Sequence, residues 1–190
     1  MPKKKEETIK KENNSIKKTT KKNKRKNTSN KIGAIFEERV QHKLDEYKKQ
    51  GVAYINKVPT EFKILRIGGK VINAFPVSQS RFCDFTGVIK GIGHCDIEVK
   101  TCSNKTSFPL SNIIESEFEY MSFMYHEMNQ RHLYYLIEMR ELKEIYLFKA
   151  IDIENFRKEQ TRKSLPISWM RENGILIDNK LNFIEHILNN

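Results

Sequence analysis

The sequence predicts an α/β domain built on a mixed β-sheet that is flanked by helices. The first observation is an apolar stripe at helical spacing that begins at Ile32 and runs to Tyr47. The second is a series of short segments with period-two alternation between Ala53 and Thr101, separated by turn residues. The third is the sequence after Thr101, in which a helix, further strands and more helices follow. This order of elements is typical of an α/β protein.

The N-terminal 31 residues differ in composition from the rest. They contain 13 basic and 3 acidic residues and so carry +10 of the chain's net charge of +11. With three apolar residues and no apolar stripe, this segment cannot offset the entropy lost on ordering, and we expect it to be disordered. It is either a solvated extension favoured by AT-rich codons or an arm that binds nucleic acid by releasing counterions. The sequence therefore predicts a basic tail, 1–31, and one domain, 32–190.

Composition also argues against several classes of protein. No run of about 18 apolar residues is present, so no membrane span and no membrane partner is predicted. An odd number of cysteines without a signal peptide favours a reduced, cytoplasmic setting. Because Cys83, Cys95 and Cys102 form no CxxC pair, a zinc site beside His94 is disfavoured.

The first half of the domain is predicted to contain a helix, a strand and a hairpin. The helix begins at Ile32 and Gly51 is placed to end it. A strand over Ala53–Val58 follows, and residues 60–77 are predicted to form a projecting hairpin with a basic tip at Gly68-Gly69-Lys70. That hairpin either binds a partner or is an ordinary solvated edge. Later elements are predicted as a helix capped by Asn112, strands over Leu133–Met139 and Glu144–Phe148, and helices over Ile151–Arg157 and Leu181–Leu188.

Two predicted strands, Phe82–Lys90 and His94–Thr101, bring two acidic residues together. In an antiparallel hairpin the numbers of opposite residues have a constant sum, and a turn centred on Gly91 pairs Asp84 with Glu98. A turn centred one residue later shifts this pairing by one register step. Opposite side chains share a face, with Cβ atoms about 5 Å apart. Both carboxylates are therefore expected within reach of one ion.

The residue types around this pair point to hydrolysis of phosphodiesters. Alternation along the strand places Lys100 on the same face as Glu98 and turns Val99 to the other face. Two carboxylates without His or Cys favour Mg²⁺ or Mn²⁺, which polarises a phosphoryl oxygen and activates water. The lysine could orient that water or offset negative charge in the transition state. The alternative is a half-exposed strand whose charges alternate without function.

Several motifs, taken together and in order, resemble the RecU family of Holliday junction resolvases. They are Gly33-x-x-Phe36-Glu37, Ile55-Asn56-Lys57-Val58-Pro59-Thr60, Cys83-Asp84-Phe85-x-Gly87, Glu98-Val99-Lys100 and Asn104-Lys105-Thr106-Ser107-Phe108-Pro109-Leu110. The last run is the specific one. The resemblance implies the restriction-endonuclease-like PD-(D/E)xK fold and a Mg²⁺-dependent homodimer. It also implies symmetric nicking of four-way DNA junctions in recombination and repair, with recombination proteins as further partners.

The resemblance also implies roles for individual residues. Asp84 and Glu98 would bind the metal, with the carbonyl of Val99 as a further ligand. Glu37 would complete the acidic set from the first helix, and Lys100 would assist the attacking water. The hairpin would match the stalk that projects into the junction centre in this family. Candidate DNA contacts are Lys63, Arg66, Lys70, Arg81, Lys105, Thr106 and Ser107.

The chain departs from the family pattern at three places. Arg81-Phe82-Cys83 stands where a small Ser/Thr stretch is usual, and the stalk is shorter. Ile114-Glu115-Ser116-Glu117 replaces a His-x-His-Gln pattern, so Glu117 is a candidate metal ligand or phosphate neighbour in place of glutamine. Two other functions therefore stay open: a nuclease of the same fold acting on flap, branched or duplex DNA, and a junction-binding module without hydrolysis.

Overall fold

The computed structural model describes residues 32–59, 62–76 and 83–189. The predicted disordered tail and Arg81 lie outside these ranges. The first helix, α1 (32–49), buries the stripe that predicted it, from Phe36 through Val40 and Leu44 to Tyr47. Gly51 follows with a φ of +69°, a left-handed conformation that glycine adopts without strain, and the helix ends there as predicted.

Ten strands and four more helices complete the described chain. The strands are β1 (Ala53–Lys57), β2 (Phe62–Ile67), β3 (Lys70–Pro76), β4 (Phe85–Ile89), β5 (Gly93–Cys102), β6 (Ser107–Pro109), β7 (Leu133–Met139), β8 (Glu144–Lys149), β9 (Ser164–Pro166) and β10 (Ile175–Ile177). The helices are α2 (Glu115–His126), α3 (Ala150–Glu159), α4 (Ile167–Asn173) and α5 (Phe183–Leu188), with a 3₁₀ turn over Leu110–Asn112. In the described ranges, no helix is both long enough and apolar enough to cross a membrane.

The main sheet confirms the predicted fold class. Its six strands lie in the order β1-β4-β5-β7-β8-β10. β5 and β7 run parallel, and the other neighbouring pairs are antiparallel, so the sheet is mixed. Gly87 is required where β4 pairs with β1, because a Cβ atom there would overlap the backbone of Tyr54 and Ile55. β5 is an inner strand, with β4 on one side and β7 on the other.

Two hydrophobic cores cover the two faces of this sheet. One contains the buried residues of α1 and α5 together with Ile97 and Val99 of β5. The other contains buried residues of α2, α3 and α4 and the opposite face of β7. The alternation of β5 therefore turns Glu98 and Lys100 to the face that α2 covers.

The hairpin β2–β3 forms a separate two-stranded sheet, as predicted, within the expected range 60–77. Its turn contains Gly68 and Gly69, both with positive φ. Several apolar side chains of the hairpin are about half exposed or more: Ile64, Leu65, Ile67 and Ile72. These four side chains therefore add little to either core.

One helix start was predicted wrongly. α2 begins at Glu115 with Ile114 as its N-cap, whereas Asn112 ends the preceding 3₁₀ turn. The main-chain N–H of Ile114 donates to the carboxylate of Glu117, 3.1 Å away, which is the contact that the third helical residue makes with the N-cap in a capping box. The elements β6, β9, α4 and β10 were not predicted, and the three strands among them span only three residues each, too few to show a period of two.

Candidate active site

The register of β4 and β5 places Asp84 across from Glu98. The paired residues run from Phe85 opposite Ile97 to Ile89 opposite Gly93, which is the register predicted for a turn centred on Gly91. Asp84 is the residue before Phe85, and Glu98 is the residue after Ile97. Both acids therefore lie at the end of the β4–β5 hairpin that is away from its turn, with Glu98 on the inner strand β5.

The backbone of two neighbouring strands holds Asp84 in place. Its Oδ2 accepts a hydrogen bond of 2.9 Å from the main-chain N–H of Val99. Its main-chain carbonyl accepts a bond of 2.8 Å from the N–H of Val58, the residue after β1. The side chain is 7% exposed. The main chain therefore anchors this carboxylate at Oδ2, while Val99 keeps its side chain in the core on the other face of the sheet.

Glu98 is buried next to that carboxylate, at 3% exposure. Burial, followed by the charge of Asp84, raises the pKa of Glu98 well above its usual range, although Lys100 acts in the opposite direction. Two carboxylates in this position repel each other unless a cation or a proton lies between them. The electrostatics thus mark the pair as a place where positive charge is favoured.

Lys100 connects Glu98 to the second helix. Its Nζ lies 2.5 Å from Oε1 of Glu98 and 2.9 Å from the carboxylate of Glu117 in the first turn of α2. Burial acts to lower the pKa of Lys100, but the two carboxylates outweigh it and raise that pKa above its usual range. The lysine is therefore a cation, suited to offset negative charge on a substrate rather than to accept a proton.

Glu37 on α1 forms an ion pair with the first strand. Its Oε2 lies 2.6 Å from Nζ of Lys57 on β1, which pairs with Phe85 on β4. Glu37 is thus tied to a strand next to Asp84 through an ion pair. In the described ranges, no group of three or more His, Cys, Asp and Glu side chains is arranged to hold a metal. Glu37 as a metal ligand stays a prediction.

The donors at Asp84 and Glu98 fit a hard divalent cation. They supply carboxylate oxygens on one face of the sheet, and burial, followed by the charge of Asp84, raises the pKa of Glu98. Mg²⁺ usually takes one or two carboxylates and completes its shell with water and substrate phosphates. A site with two facing acids therefore suits Mg²⁺ or Mn²⁺ better than zinc. The three cysteines, all free and buried, support this, since burial raises the pKa of Cys83 and of Cys95 and so disfavours their thiolates.

The predicted DNA contacts are spread over two regions. Arg66 and Lys70 are exposed on the β2–β3 hairpin, and Lys63 lies in β2. Lys105 and Thr106 are exposed in the segment after β5, where Ser107 begins β6 and pairs with Pro166. That these two regions contact DNA stays a prediction.

The sequence interpretation missed three polar residues near the acids. Thr86 and Tyr120 each donate a hydrogen bond to Asp96, which lies on the face that carries Glu98. The alternation that places Lys100 beside Glu98 also places Asp96 there, two residues earlier on the strand. That signal was available from the spacing alone, whereas the contact with Tyr120 depends on the docking of α2.

Comparisons with known proteins match nearly the whole described chain. The family model named RecU, with the description "Recombination protein U", matches residues 31–189. The chain is 32% identical over 156 residues to "Holliday junction resolvase RecU" of Lactococcus lactis subsp. cremoris (strain SK11), covering 78% of this chain and 71% of that protein. It is 29% identical over 161 residues to the protein of that name from Streptococcus oralis (80% and 78% covered). With the one from Staphylococcus aureus (strain JH9) the identity is 29% over 150 residues (75% and 71% covered).

Proposed function

This chain belongs to the RecU family, and on that premise we propose that it is a Holliday junction resolvase, an endonuclease that acts in recombination and repair. The observation that carries the proposal is the pair of buried, opposed carboxylates of Asp84 and Glu98 with the Lys100 ammonium on the same face. A junction-binding module without hydrolysis would have no need to bury two repelling carboxylates. We place it in the cytoplasm, the setting that the cysteine content favours.

In this proposal Asp84 and Glu98 bind a divalent cation, Mg²⁺ or Mn²⁺, and the Val99 carbonyl and Glu37 are further candidate ligands. When bound, the ion supplies Lewis-acid polarisation of the scissile phosphate and activation of a water molecule. The chain's own contribution is positional. The N–H of Val99 fixes one oxygen of Asp84, and the strand register sets the spacing between the acids.

Lys100 has the task of offsetting negative charge as the phosphodiester is attacked. Its Nζ lies between Glu98 and Glu117, so the ammonium is held at the site before substrate arrives. A preorganised cation in a buried site stabilises developing charge without the cost of reorienting water. Glu117, where the family pattern has glutamine, is better placed as the residue that holds Lys100 than as a direct metal ligand, because its carboxylate already contacts the ammonium and the N–H of Ile114.

We further propose that two copies act together and nick opposed strands of the junction symmetrically. A four-way junction has two equivalent strands to cut, and a two-fold symmetric dimer presents two equivalent sites. The β2–β3 hairpin, on which Ile64, Leu65, Ile67 and Ile72 are exposed, would enter the junction centre, with Arg66 and Lys70 near the phosphates. Recombination proteins would be further partners.

The test of the function is a comparison of DNA substrates. Purified protein is incubated in Mg²⁺ with a four-way junction, a flap and a linear duplex of matched sequence. We expect paired, symmetric nicks in the junction alone. Equal cutting of the linear duplex would contradict junction selectivity, cutting of the flap alone would favour a flap nuclease, and binding without cutting would favour a non-catalytic module.

Removal of residues 1–31 tests the proposed role of the basic tail. If the tail neutralises phosphates, its deletion weakens junction binding and flattens the dependence of log Kd on log salt, by about 0.9 in slope for each lost phosphate contact. The measurement is junction affinity between low and physiological salt. A variant in which a neutral Gly/Ser segment replaces the tail is the matched control for length. An unchanged slope in both variants would favour the codon-usage interpretation.

A further inference from the structure

Asp96 is a fully buried carboxylate on the strand that carries the active-site residues. It lies on β5 two residues before Glu98, on the same face of the sheet, and its exposure is 0%. A charged group removed from water destabilises the fold unless hydrogen bonds or an opposite charge compensate for the lost hydration. The groups that replace the lost hydration of Asp96 therefore indicate the role of this residue.

Three elements supply those contacts. The hydroxyl of Thr86 on β4 donates to Oδ1 of Asp96 at 2.6 Å, and the hydroxyl of Tyr120 on α2 donates to Oδ2 at 2.9 Å. Nε2 of His94 on β5 lies 3.4 Å from Oδ1 and 3.1 Å from Oγ1 of Thr86. The side-chain amide of Gln130 contacts Nδ1 of the His94 ring and donates to the His94 carbonyl at 2.7 Å. We refer to Asp96, Thr86, Tyr120 and His94 as the Asp96 cluster.

Each hydroxyl in the cluster belongs to an element that carries an active-site residue or directly follows one. Thr86 on β4 is two residues after Asp84, which immediately precedes the strand, so both side chains lie on the face that Glu98 occupies. Tyr120 is three residues after Glu117 on α2, which places the two about one turn apart on the same side of the helix. Asp96 thus joins β4 and α2 to β5 next to the points where Asp84, Glu117 and Lys100 must be aligned.

The two hydroxyl hydrogen bonds to Asp96 are short, at 2.6 and 2.9 Å, and each uses a different oxygen of its side chain. Burial, followed by the charge of Asp96, raises the pKa of Tyr120, so its hydroxyl keeps the proton that it donates. Two such bonds on the two oxygens of one carboxylate fix β4 and α2 relative to β5.

We propose that Asp96 is a positioning residue of the active site, which sets the separation of Asp84 from Glu98 through Thr86 and the placement of Glu117 and Lys100 through Tyr120. This inference deepens the proposed function and rests on it. It assigns the Asp96 cluster no contact with substrate. Its effect is on the rate of cleavage rather than on affinity for the junction, because misplacement of reacting groups by about 1 Å can lower a rate by on the order of 100-fold.

The chain contains a matched control at the other side of α2. Glu154 on α3 is also buried, at 8% exposure, and accepts a hydrogen bond of 3.1 Å from Ser122 on α2. His126 and Lys158 contact the same carboxylate. This pair ties α2 to α3, and we assign no active-site residue to α3. Tyr120→Phe and Ser122→Ala therefore each delete one hydroxyl that α2 donates to a buried carboxylate, but only the first faces β5.

The experiment compares these full-length variants with wild type in single-turnover cleavage of a four-way junction, junction affinity and Tm. We expect Tyr120→Phe to lower the cleavage rate about tenfold while Kd stays within about twofold, and Ser122→Ala to change the rate by less than about twofold at a similar loss of Tm. Asp96→Asn should lower the rate further than Tyr120→Phe, with Glu154→Gln as its control. If Asp96→Asn does not fold, the two hydroxyl variants decide the question.

Two results would overturn the positioning role while leaving the nuclease function intact: a wild-type rate for Tyr120→Phe, or an equal loss of rate in Ser122→Ala. Failure of the wild-type protein to cut the junction is a separate outcome. It would overturn the proposed function and, with it, this inference.

Discussion

Asp84→Asn should abolish junction cleavage, with a loss on the order of 10³-fold or more, while junction binding survives. The substitution keeps the shape of the side chain and removes its charge, so the proposed metal site loses one of its two facing carboxylates. Binding survives because the expected DNA contacts lie on the hairpin and on the segment after β5. Single-turnover cleavage in Mg²⁺ and a junction-binding titration without divalent ions measure the two quantities separately.

The same variant should be at least as stable as wild type. The amide oxygen of the substituted side chain can accept the hydrogen bond from Val99, and the repulsion that helps to raise the pKa of Glu98 is removed. Strained, like-charged sites of this kind often cost stability for the sake of activity. The control is Asp45→Asn on α1, where the carboxylate accepts a bond from Gln41. A wild-type cleavage rate for Asp84→Asn would remove Asp84 from the site.

Lys100→Met should have the second-largest effect and should lower both the cleavage rate and the stability of the fold. The cleavage rate should fall on the order of 100-fold, the usual consequence of losing one preorganised charge at the reacting centre. The substitution also leaves Glu98 and Glu117 buried without their shared cation. Breaking a buried pair from one side typically costs about 3–5 kcal/mol, so Tm should fall clearly.

The stability loss in Lys100→Met should depend on pH in a defined direction. The pKa of Glu98 in the folded protein is above its unfolded value of 4.5, so the folded state binds this proton more tightly. Stability is therefore lost as the pH rises from that value through the folded pKa. Lys100 lowers the pKa of Glu98, so its removal raises that pKa further and widens the pH range over which stability is lost. The Tm difference from wild type should be largest at about pH 8 and should shrink as the pH falls towards about 5.

Lys43→Met is the matched control for this prediction. Lys43 pairs with Glu46 on α1, three residues away, and its ammonium lies 4.9 Å from the centre of the Tyr47 ring; helix pairs of this spacing contribute about 0.5 kcal/mol or less. Its Tm should stay near the wild-type value at every pH, measured with a chelator to exclude metal binding. A pH-independent Tm difference in Lys100→Met would mean that Glu98 and Glu117 are not the partners that matter.

The sequence was most informative where structure depends on local spacing. The apolar stripe of α1 and the alternation of the strands were sufficient to place these elements. The glycines around residue 91 fixed the turn, and the turn fixed the register that sets Asp84 opposite Glu98. Each of these inferences uses residues fewer than about twenty positions apart, over which backbone geometry alone decides which side chains meet.

Features that depend on distant parts of the chain could not be predicted in the same way. The parallel pairing of β5 with β7 joins segments separated by a helix, and neither strand carries a signal for its neighbour. The contacts of α2 with Lys100 and Asp96 follow from how that helix docks, which periodicity does not specify. β9 and β10 have three residues each, too few to show a period of two.

The short connection between β4 and β5 also has a consequence for how the protein folds. Only three residues, 90–92, separate these strands, so the pairing that brings Asp84 to Glu98 has a small loop-closure entropy. Hairpins of this kind form within about 1–10 μs, whereas pairing of β5 with the more distant β7 closes a much longer loop. The two carboxylates are therefore expected to meet early, before α2 can bring Glu117 to Lys100. The repulsion between Asp84 and Glu98 would then be present from an early stage of folding, and divalent ions that bind between the two carboxylates should speed that step.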